Sequence, residues 1–420
     1  MRAADLALQR DKYKHLSDAE WRWFLQQVEG RERTADKLPA FAAIEDWWYP
    51  VRLSCEQCSS EATARYKASL CQSEGRSYSV GGHTAQRSVL CQFEGRSLLD
   101  LTGGYGVDTY FLSEHFAHTD YVEQNEELCR IAEHNFNRPT PSLPEGKEIK
   151  IYHATAEEFL SSSLQGGMEG GYSLIFLDPA RRDSHGGKVF RLEDCTPNVV
   201  ELLPDLLSHL APDGRIMLKL SPMLDLTQAI NRLQSDHVHG TKINWDVYVV
   251  AVKNEVKEVL LLSGGAGQIT AIDLAKKDQA FSFTKEEERE VSSLPLRGEL
   301  EGAYLYEPNG AILKAGAYKL IAERFGLQKL DVNTHLYCSE TLVPDFPGRV
   351  WQVIEAPFPL TPKGARGQQA NIITRNYPLT PDQLKKKLHL RDGGTAFIIG
   401  CRVAGKPTLF YAVVGTIASL

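Results

Sequence analysis

From Ser97 onward the chain alternates short apolar runs with helical stretches, and this rhythm limits its fold more than any other feature. Leu98-Leu99-Asp100-Leu101, Tyr121-Val122-Glu123, Ile149-Lys150-Ile151-Tyr152, Leu174-Ile175-Phe176-Leu177 and Ile216-Met217-Leu218-Lys219-Leu220 read as strands. Residues 108–116 and 126–135 read as helices between the first three. Strands separated by helices pair in parallel, because a parallel crossover needs a connection long enough to hold a helix. Val247 to Val252 and Glu258 to Leu262, separated by Lys253-Asn254-Glu255, read as an antiparallel closing pair, and the unit ends near Gly264-Gly265.

A chain of 420 residues is long for one such unit, so further domains are expected on either side. Upstream, Ser17-Asp18-Ala19-Glu20 fits a capping box and Trp21, Phe24, Leu25 and Val28 follow at helical spacing, with Gly30 as the expected end. Four of the six tryptophans (Trp21, Trp23, Trp47, Trp48) lie in the first fifty residues, where they suit the core of a compact helical subdomain or, alternatively, a base-stacking surface. Cys71-Gln72-Ser73-Glu74-Gly75-Arg76-Ser77 is nearly repeated from Cys91 to Ser97, too few copies for a solenoid. Residues 266–295 are polar and carry Lys285-Glu286-Glu287-Glu288-Arg289-Glu290, read as a solvated helix face. The remainder, with strands such as Thr395-Ala396-Phe397-Ile398-Ile399, reads as a second α/β domain.

The eight cysteines are dispersed, against a disulfide framework. Cys55-Glu56-Gln57-Cys58 has metal-ligand spacing, but only Cys71, His83 and Cys91 stand nearby as further ligands, so no metal is expected. No apolar run reaches the roughly 20 residues of a membrane span and no signal-like segment opens the chain, so a cytoplasmic protein is expected.

The chemistry is carried by Asp100-Leu101-Thr102-Gly103-Gly104-Tyr105-Gly106-Val107-Asp108. A strand that feeds a glycine-rich turn into a helix lets a ligand approach the backbone, and the helix start offers free amides. Glu123 ends the next strand, 19 residues after Gly104, where a carboxylate can accept both hydroxyls of a ribose. Leu177-Asp178-Pro179-Ala180-Arg181-Arg182-Asp183 is a rigid turn at the carboxyl edge of the sheet, where open α/β folds place their sites.

Together these residues resemble the class I S-adenosylmethionine-dependent methyltransferases across about residues 86–265. The resemblance implies an α/β fold: a Rossmann-like methyltransferase sheet with a helical N-terminal extension (1–85) and a second C-terminal α/β domain. It implies that Asp100, Thr102, Gly104, Gly106 and Glu123 hold the S-adenosyl-L-methionine cofactor. Thr155 and Ala156, in His153-Ala154-Thr155-Ala156-Glu157, fall where the family contacts adenine, although Thr155 replaces a common acidic residue. The closing antiparallel pair is typical of the family and unlike nicotinamide-binding domains.

Asp178, Pro179 and Arg181 occupy the acceptor position. Base-amine methyltransferases of this class carry Asp-Pro-Pro-Tyr there, and this chain lacks the aromatic. Uridine-C5 RNA methyltransferases carry Asp-Pro-Pro-Arg with a nucleophilic cysteine after the fifth strand, where this chain reads Lys219-Leu220-Ser221-Pro222-Met223. Cys195 is the nearby thiol, open to a catalytic or a packing role. Arg181 and Arg182 suit an acceptor phosphate or pairing with Asp183 or Glu193.

Residues 296–420 resemble the THUMP-like domains attached to some RNA methyltransferases, notably in Tyr304 to Ala311, Lys314-Ala315-Gly316 and Asp345-Phe346-Pro347-Gly348-Arg349; residues 266–295 would be a linker and the start of a ferredoxin-like segment. The net charge of −7 argues against a uniformly basic surface. It is unevenly spread: residues 296–420 carry 15 basic and 10 acidic side chains, a balance of +5, against −12 for the rest. The Lys385-Lys386-Lys387 run with Arg391 is either a phosphate-facing patch or a solvated helix face. The expected activity is methylation of a base in structured RNA, tRNA or rRNA. The alternatives are a protein or small-molecule acceptor, or a non-catalytic RNA-binding protein with a relic methyltransferase fold.

Overall fold

The computed structural model describes residues 3–71, 78–80, 83–85, 96–137, 148–163, 170–181, 191–235, 243–292, 300–360 and 369–415. The near-repeat at 72–77 and 91–95, Arg182, Asp183 and the side chain of Arg181 lie outside the described residues. The chain divides into two compact units: Met1–Gly75, Ser88–Val247 and Lys257–Ala266 form one, and Arg76–Arg87, Tyr248–Val256 and Gly267–Leu420 the other.

In the first unit a short helical turn at Ala3–Ala7 precedes the long helix α1 (Asp18–Thr34), whose Ser17 and Glu20 form the reciprocal capping box read from the sequence. Gly30 does not end it. The helix runs one turn further, and Gly30 sits within it against Tyr49, where a Cβ would lie 2.3 Å from the tyrosine Cβ. Helices α2 (Arg52–Gln57) and α3 (Glu61–Leu70) follow.

The sheet comprises β1 (Ser97–Asp100), β2 (His118–Glu123), β3 (Glu148–His153), β4 (Tyr172–Leu177) and β7 (Leu210–Leu220). Helices α4 (Val107–Ser113), α5 (Glu126–Phe136), α6 (Ala156–Ser163) and α7 (Val199–Ser208) connect its strands, and α8 (Leu226–Ser235) follows β7. Between β4 and α7 lies a two-residue ribbon, β5 (Ala180–Arg181) against β6 (Cys195–Thr196). The order is β7-β4-β1-β2-β3, all parallel. Chain order therefore reverses beside β1, which opens a crevice at the carboxyl ends of β1 and β4. Strand β4 is buried along its whole length, as an unbroken apolar run requires in a sheet covered on both faces.

Strands β8 (Trp245–Val252) and β9 (Glu255–Ser263) follow, and β9 pairs antiparallel with β7 through Val259 to Leu262. Of the upstream tryptophans, Trp21 packs locally against Tyr13 and Phe24, but Trp47 does not sit in a separate subdomain core. Phe41 and Trp47 pack with Tyr105, Tyr110 and Phe136 in one cluster shared with α4 and α5, and the Trp47 indole N–H donates to the Tyr105 hydroxyl at 2.9 Å.

The second unit departs from expectation in residues 266–295, which hold the strands β10 (Ile269–Asp273) and β11 (Phe281–Phe283), paired antiparallel, before α9 (Lys285–Glu290). Alternate residues of β11 are buried, so its polar neighbours hide a strand pattern. Helix α9 is not wholly a solvated face: Glu288 accepts the backbone N–H groups of Tyr318, Lys319 and Leu320 at 3.1, 2.9 and 2.9 Å. Asp273 accepts the amides of Lys253 and Asn254 at 2.9 and 2.5 Å, which ties the turn before β9 into this unit.

The main sheet of the second unit comprises β12 (Tyr304–Pro308), β13 (Gln328–Asp331), β14 (Thr334–Ser339), β15 (Gly348–Glu355), β16 (Asn371–Arg375), β17 (Ala396–Val403) and β18 (Lys406–Val414). Their order is β13-β14-β12-β15-β18-β17-β16, and only β16 with β17 is parallel. Helices α10 (Gly310–Ala315), α11 (Leu320–Arg324) and α12 (Pro381–Leu388) complete it. Lys385 to Lys387 form the last turn of α12, which buries Leu384 and Leu388, and Lys385 is paired with Asp392.

Candidate active site

The crevice holds a cavity of about 370 Å³, lined from Asp100 to Asp108 and by Glu123 to Asn125, Ala154 to Glu157, Asp178, Ala180, Thr196 and Pro197. Its floor is the glycine turn. A Cβ on Gly103 would lie 2.1 Å from the Tyr121 ring, so this position must be glycine for the turn to lie flat on β2. The Tyr121 hydroxyl then donates to the Gly104 carbonyl at 2.6 Å. Gly104 and Gly106 have φ of 57° and 79°, left-handed values that an L side chain rarely adopts.

The acidic residues spend much of their bonding capacity on the protein. Asp100 accepts the Thr102 amide at 3.0 Å and the Thr109 hydroxyl at 2.5 Å, which staples the turn to α4. Burial pushes its carboxyl up to about 7, against the lowering effect of those two bonds. Glu123 accepts the amides of Gly104 at 2.8 Å and Asn125 at 2.8 Å. Each carboxylate oxygen keeps a second lone-pair direction, so the placement at the cavity wall fits a ribose diol. Thr155 caps α6 by accepting the Glu158 amide at 3.2 Å while its own amide donates to Glu158 at 3.0 Å. Thr102 accepts the Asp178 amide at 2.6 Å and so joins the turn to the acceptor loop.

Pro179 is buried and does not line the cavity, whereas Asp178 and Ala180 do. The backbone of Ala180 and Arg181 pairs with Thr196 and Cys195, which fixes the loop as a ribbon. Cys195, itself a residue of that ribbon, has a buried side chain that lies outside the cavity lining, where it packs rather than presents a nucleophile.

Behind the turn lies a cluster of charges that the motifs did not reveal. Lys219, on β7, donates to Asp178 at 2.5 Å and lies 3.8 Å from Asp108. The fully buried Lys67, on α3, donates to both oxygens of Glu258 at 2.6 and 2.8 Å and lies 3.1 Å from Asp108. Ser59 donates to Asp108 at 2.7 Å. Burial alone would lower the Lys219 ammonium, but the Asp178 and Asp108 carboxylates hold it above the ordinary lysine range. Burial raises the Glu258 carboxyl despite Lys67. For Asp108 burial is outweighed by Lys67 and Lys219, and its carboxyl is held low. A lysine inside an apolar strand was the available signal for Lys219, since unpaired lysines are almost never buried. Ser54, Gln57, Cys58 and Ser59 also line the cavity; the Cys55 to Cys58 spacing marks this stretch in the sequence, but not as part of a nucleoside site. Cys58 donates to the Cys55 carbonyl at 3.2 Å; burial pushes the Cys55 thiol up to about 12. Among the described residues no group of three or more His, Cys, Asp or Glu could hold a metal ion.

The whole chain is similar to a solved structure, that of a protein from Porphyromonas gingivalis W83 assigned as a methyltransferase. The identity is 31%, the TM-score 0.77, and the match covers 96% of this chain and 92% of that one. The chain belongs to the S-adenosylmethionine-dependent methyltransferase family. Two uncharacterized S-adenosylmethionine-dependent methyltransferases of Mycobacterium tuberculosis, from strains CDC 1551 and H37Rv, are each 25% identical over 245 residues. That match takes in 55% of this chain and spans 60% of the length of those relatives. Within the second unit, residues 304–347 match a ferredoxin-like domain family and residues 348–412 a THUMP domain-like family. For a member of this methyltransferase family, the glycine turn, Glu123 and the Thr155 corner form a cavity suited to a nucleoside. Gly103, lying on the Tyr121 ring, and Gly104 bring the backbone of the turn to the cavity wall.

Proposed function

We propose that this protein transfers the methyl group of S-adenosyl-L-methionine to a base in structured RNA, tRNA or rRNA. The observation that carries the reading is Asp178, held at the cavity wall by Lys219 and by the Thr102 hydroxyl. Bound donor supplies an electrophilic methyl on a sulfonium, so the barrier yields mainly to alignment of the acceptor. In this reading Glu123 accepts the ribose hydroxyls, the glycine turn lets the rest of the donor come close to its backbone, and Thr155 and Ala156 border the adenine. Asp178 accepts an N–H of the acceptor base through its remaining lone pairs, and the ribbon from Ala180 fixes the loop beside it. Arg181 is proposed as a phosphate contact from its place in the sequence. The THUMP domain-like match and the positive balance of residues 296–420 support RNA as the acceptor; the cytoplasm is the proposed place of action.

Two measurements test this. Calorimetry with S-adenosyl-L-methionine should show binding that Glu123→Ala abolishes. Labelled donor incubated with the protein and total cellular RNA should leave label in RNA nucleosides, which mass spectrometry can name. Absence of donor binding overturns the enzymatic reading and leaves the relic fold, whereas label confined to protein or metabolite fractions overturns the RNA acceptor.

A further inference from the structure

In the second unit one buried carboxylate holds two arginines at the surface. Glu307, on β12, has a side chain only 2% exposed. It receives Arg349 on Oε2, through Nε at 2.9 Å and through Nη2, and Arg375 on Oε1 through Nε at 2.5 Å. Arg349 lies directly opposite Glu307 in the β12–β15 register. Arg375 comes from the end of β16, with three strands between it and β12 in the sheet order, so the sheet curls to bring them together. Gly348 permits the close approach, since a Cβ there would lie 2.0 Å from the Glu307 carbonyl oxygen.

One cation neutralises a buried carboxylate. The second is surplus, and the cluster carries a net charge of +1. The two arginine side chains remain 45% and 42% exposed. Arg349 is further fixed over the ring of the buried Trp351, 5.2 Å from its centroid, and Arg375 Nη1 donates to the Thr374 carbonyl at 2.9 Å. Among the described residues Arg349 Nη1 and Arg375 Nη2 donate to no protein acceptor. Two planar donors held in place before binding lose little side-chain entropy on meeting an anion, and guanidinium matches the oxygens of a phosphate.

We propose that Arg349 and Arg375 form a clamp for a backbone phosphate of the RNA. The proposal rests on the RNA reading above and names the residues that would hold that RNA. It separates them from the Lys385 to Lys387 turn, where Lys385 is taken up by the exposed Asp392 and Lys386 and Lys387 are exposed on α12.

The test is fluorescence anisotropy of a labelled 20-nucleotide RNA hairpin with the full-length protein over a series of salt concentrations. Arg349→Gln and Arg375→Gln each leave Glu307 one partner, and circular dichroism melting checks that they fold. Each is expected to weaken binding about three- to ten-fold at low salt and to reduce the slope of log affinity against log salt by about one. If either fails to fold, the Arg349→Lys/Arg375→Lys protein keeps the charges and loses the planar fork, and is expected to retain the slope while binding more weakly. Wild-type binding of the hairpin with unchanged affinity and slope in these variants would overturn the clamp while leaving the RNA reading intact. No wild-type binding at 50 mM salt, a probe condition at which phosphate contacts are strong, would overturn both.

Discussion

Lys219 and Asp178 join strand β7 to the acceptor loop through one hydrogen bond of 2.5 Å, at the edge of the cavity where the glycine turn also ends. The lysine side chain is mostly buried, 12% exposed, and the carboxylate half-buried. Its position is therefore set from within the protein, before any ligand arrives.

Removing the lysine should affect the acceptor side more than the donor side. In Lys219→Met, calorimetric affinity for S-adenosyl-L-methionine is expected to stay within about two-fold, while methyl incorporation into RNA falls at least about ten-fold, the scale expected when an oriented polar group is lost. Lys219→Arg should recover part of the rate. Equal loss of donor affinity and incorporation would show a purely structural lysine.

Lys67→Met tests the deeper pair. It leaves Glu258 and Asp108 buried without their shared cation, which is expected to cost about 3–5 kcal/mol in urea unfolding. The double variant Lys67→Met/Glu258→Leu should recover most of that cost, because an apolar pair of similar volume replaces the ions.

Asp100 should give the fold a specific pH dependence. Its folded carboxyl is pushed up to about 7, above the unfolded value near 4. The native state therefore binds more protons than the unfolded chain between these values, and this contribution to stability, present below about pH 4, is lost as pH rises through 7. The difference amounts to roughly 4 kcal/mol at the scale of 1.36 kcal/mol per pKa unit. Asp100→Asn should flatten that part of the curve, measured as unfolding free energy at pH 5 and pH 8 for both proteins. An identical fall in both would assign the dependence to other groups.

Gly103→Ala should strike the cavity floor. The added methyl meets the Tyr121 ring at 2.1 Å, so the turn must lift. A stability loss of about 1–3 kcal/mol with donor affinity reduced more than ten-fold is expected from melting and calorimetry. Gly104→Ala, which meets no contact closer than 3.7 Å but has φ of 57°, should cost less.

The sequence was most readable where function is local along the chain. The strand-turn-helix of Asp100 to Asp108 and the capping box at Ser17 depend on neighbours a few residues away, and both stand as read. Within residues 266–295 the strands β10 and β11 are not legible in the sequence, because each is only three to five residues long and its apolar face needs a partner strand to be recognised. The upstream tryptophans revealed their number, but not that Trp47 would bury itself against Tyr105 and Phe136.

By itself the sequence determined the parallel sheet, the glycine turn and the order in which its motifs reach the carboxyl edge. Hydrophobic period and turn chemistry are carried by residues close in the chain. Only the tertiary structure decided that Lys67, Asp108, Lys219 and Glu258 meet behind that turn, and that Arg349 and Arg375 share Glu307. These are charges from separate elements, and what compels each pairing is burial, which makes an isolated charge too costly to keep.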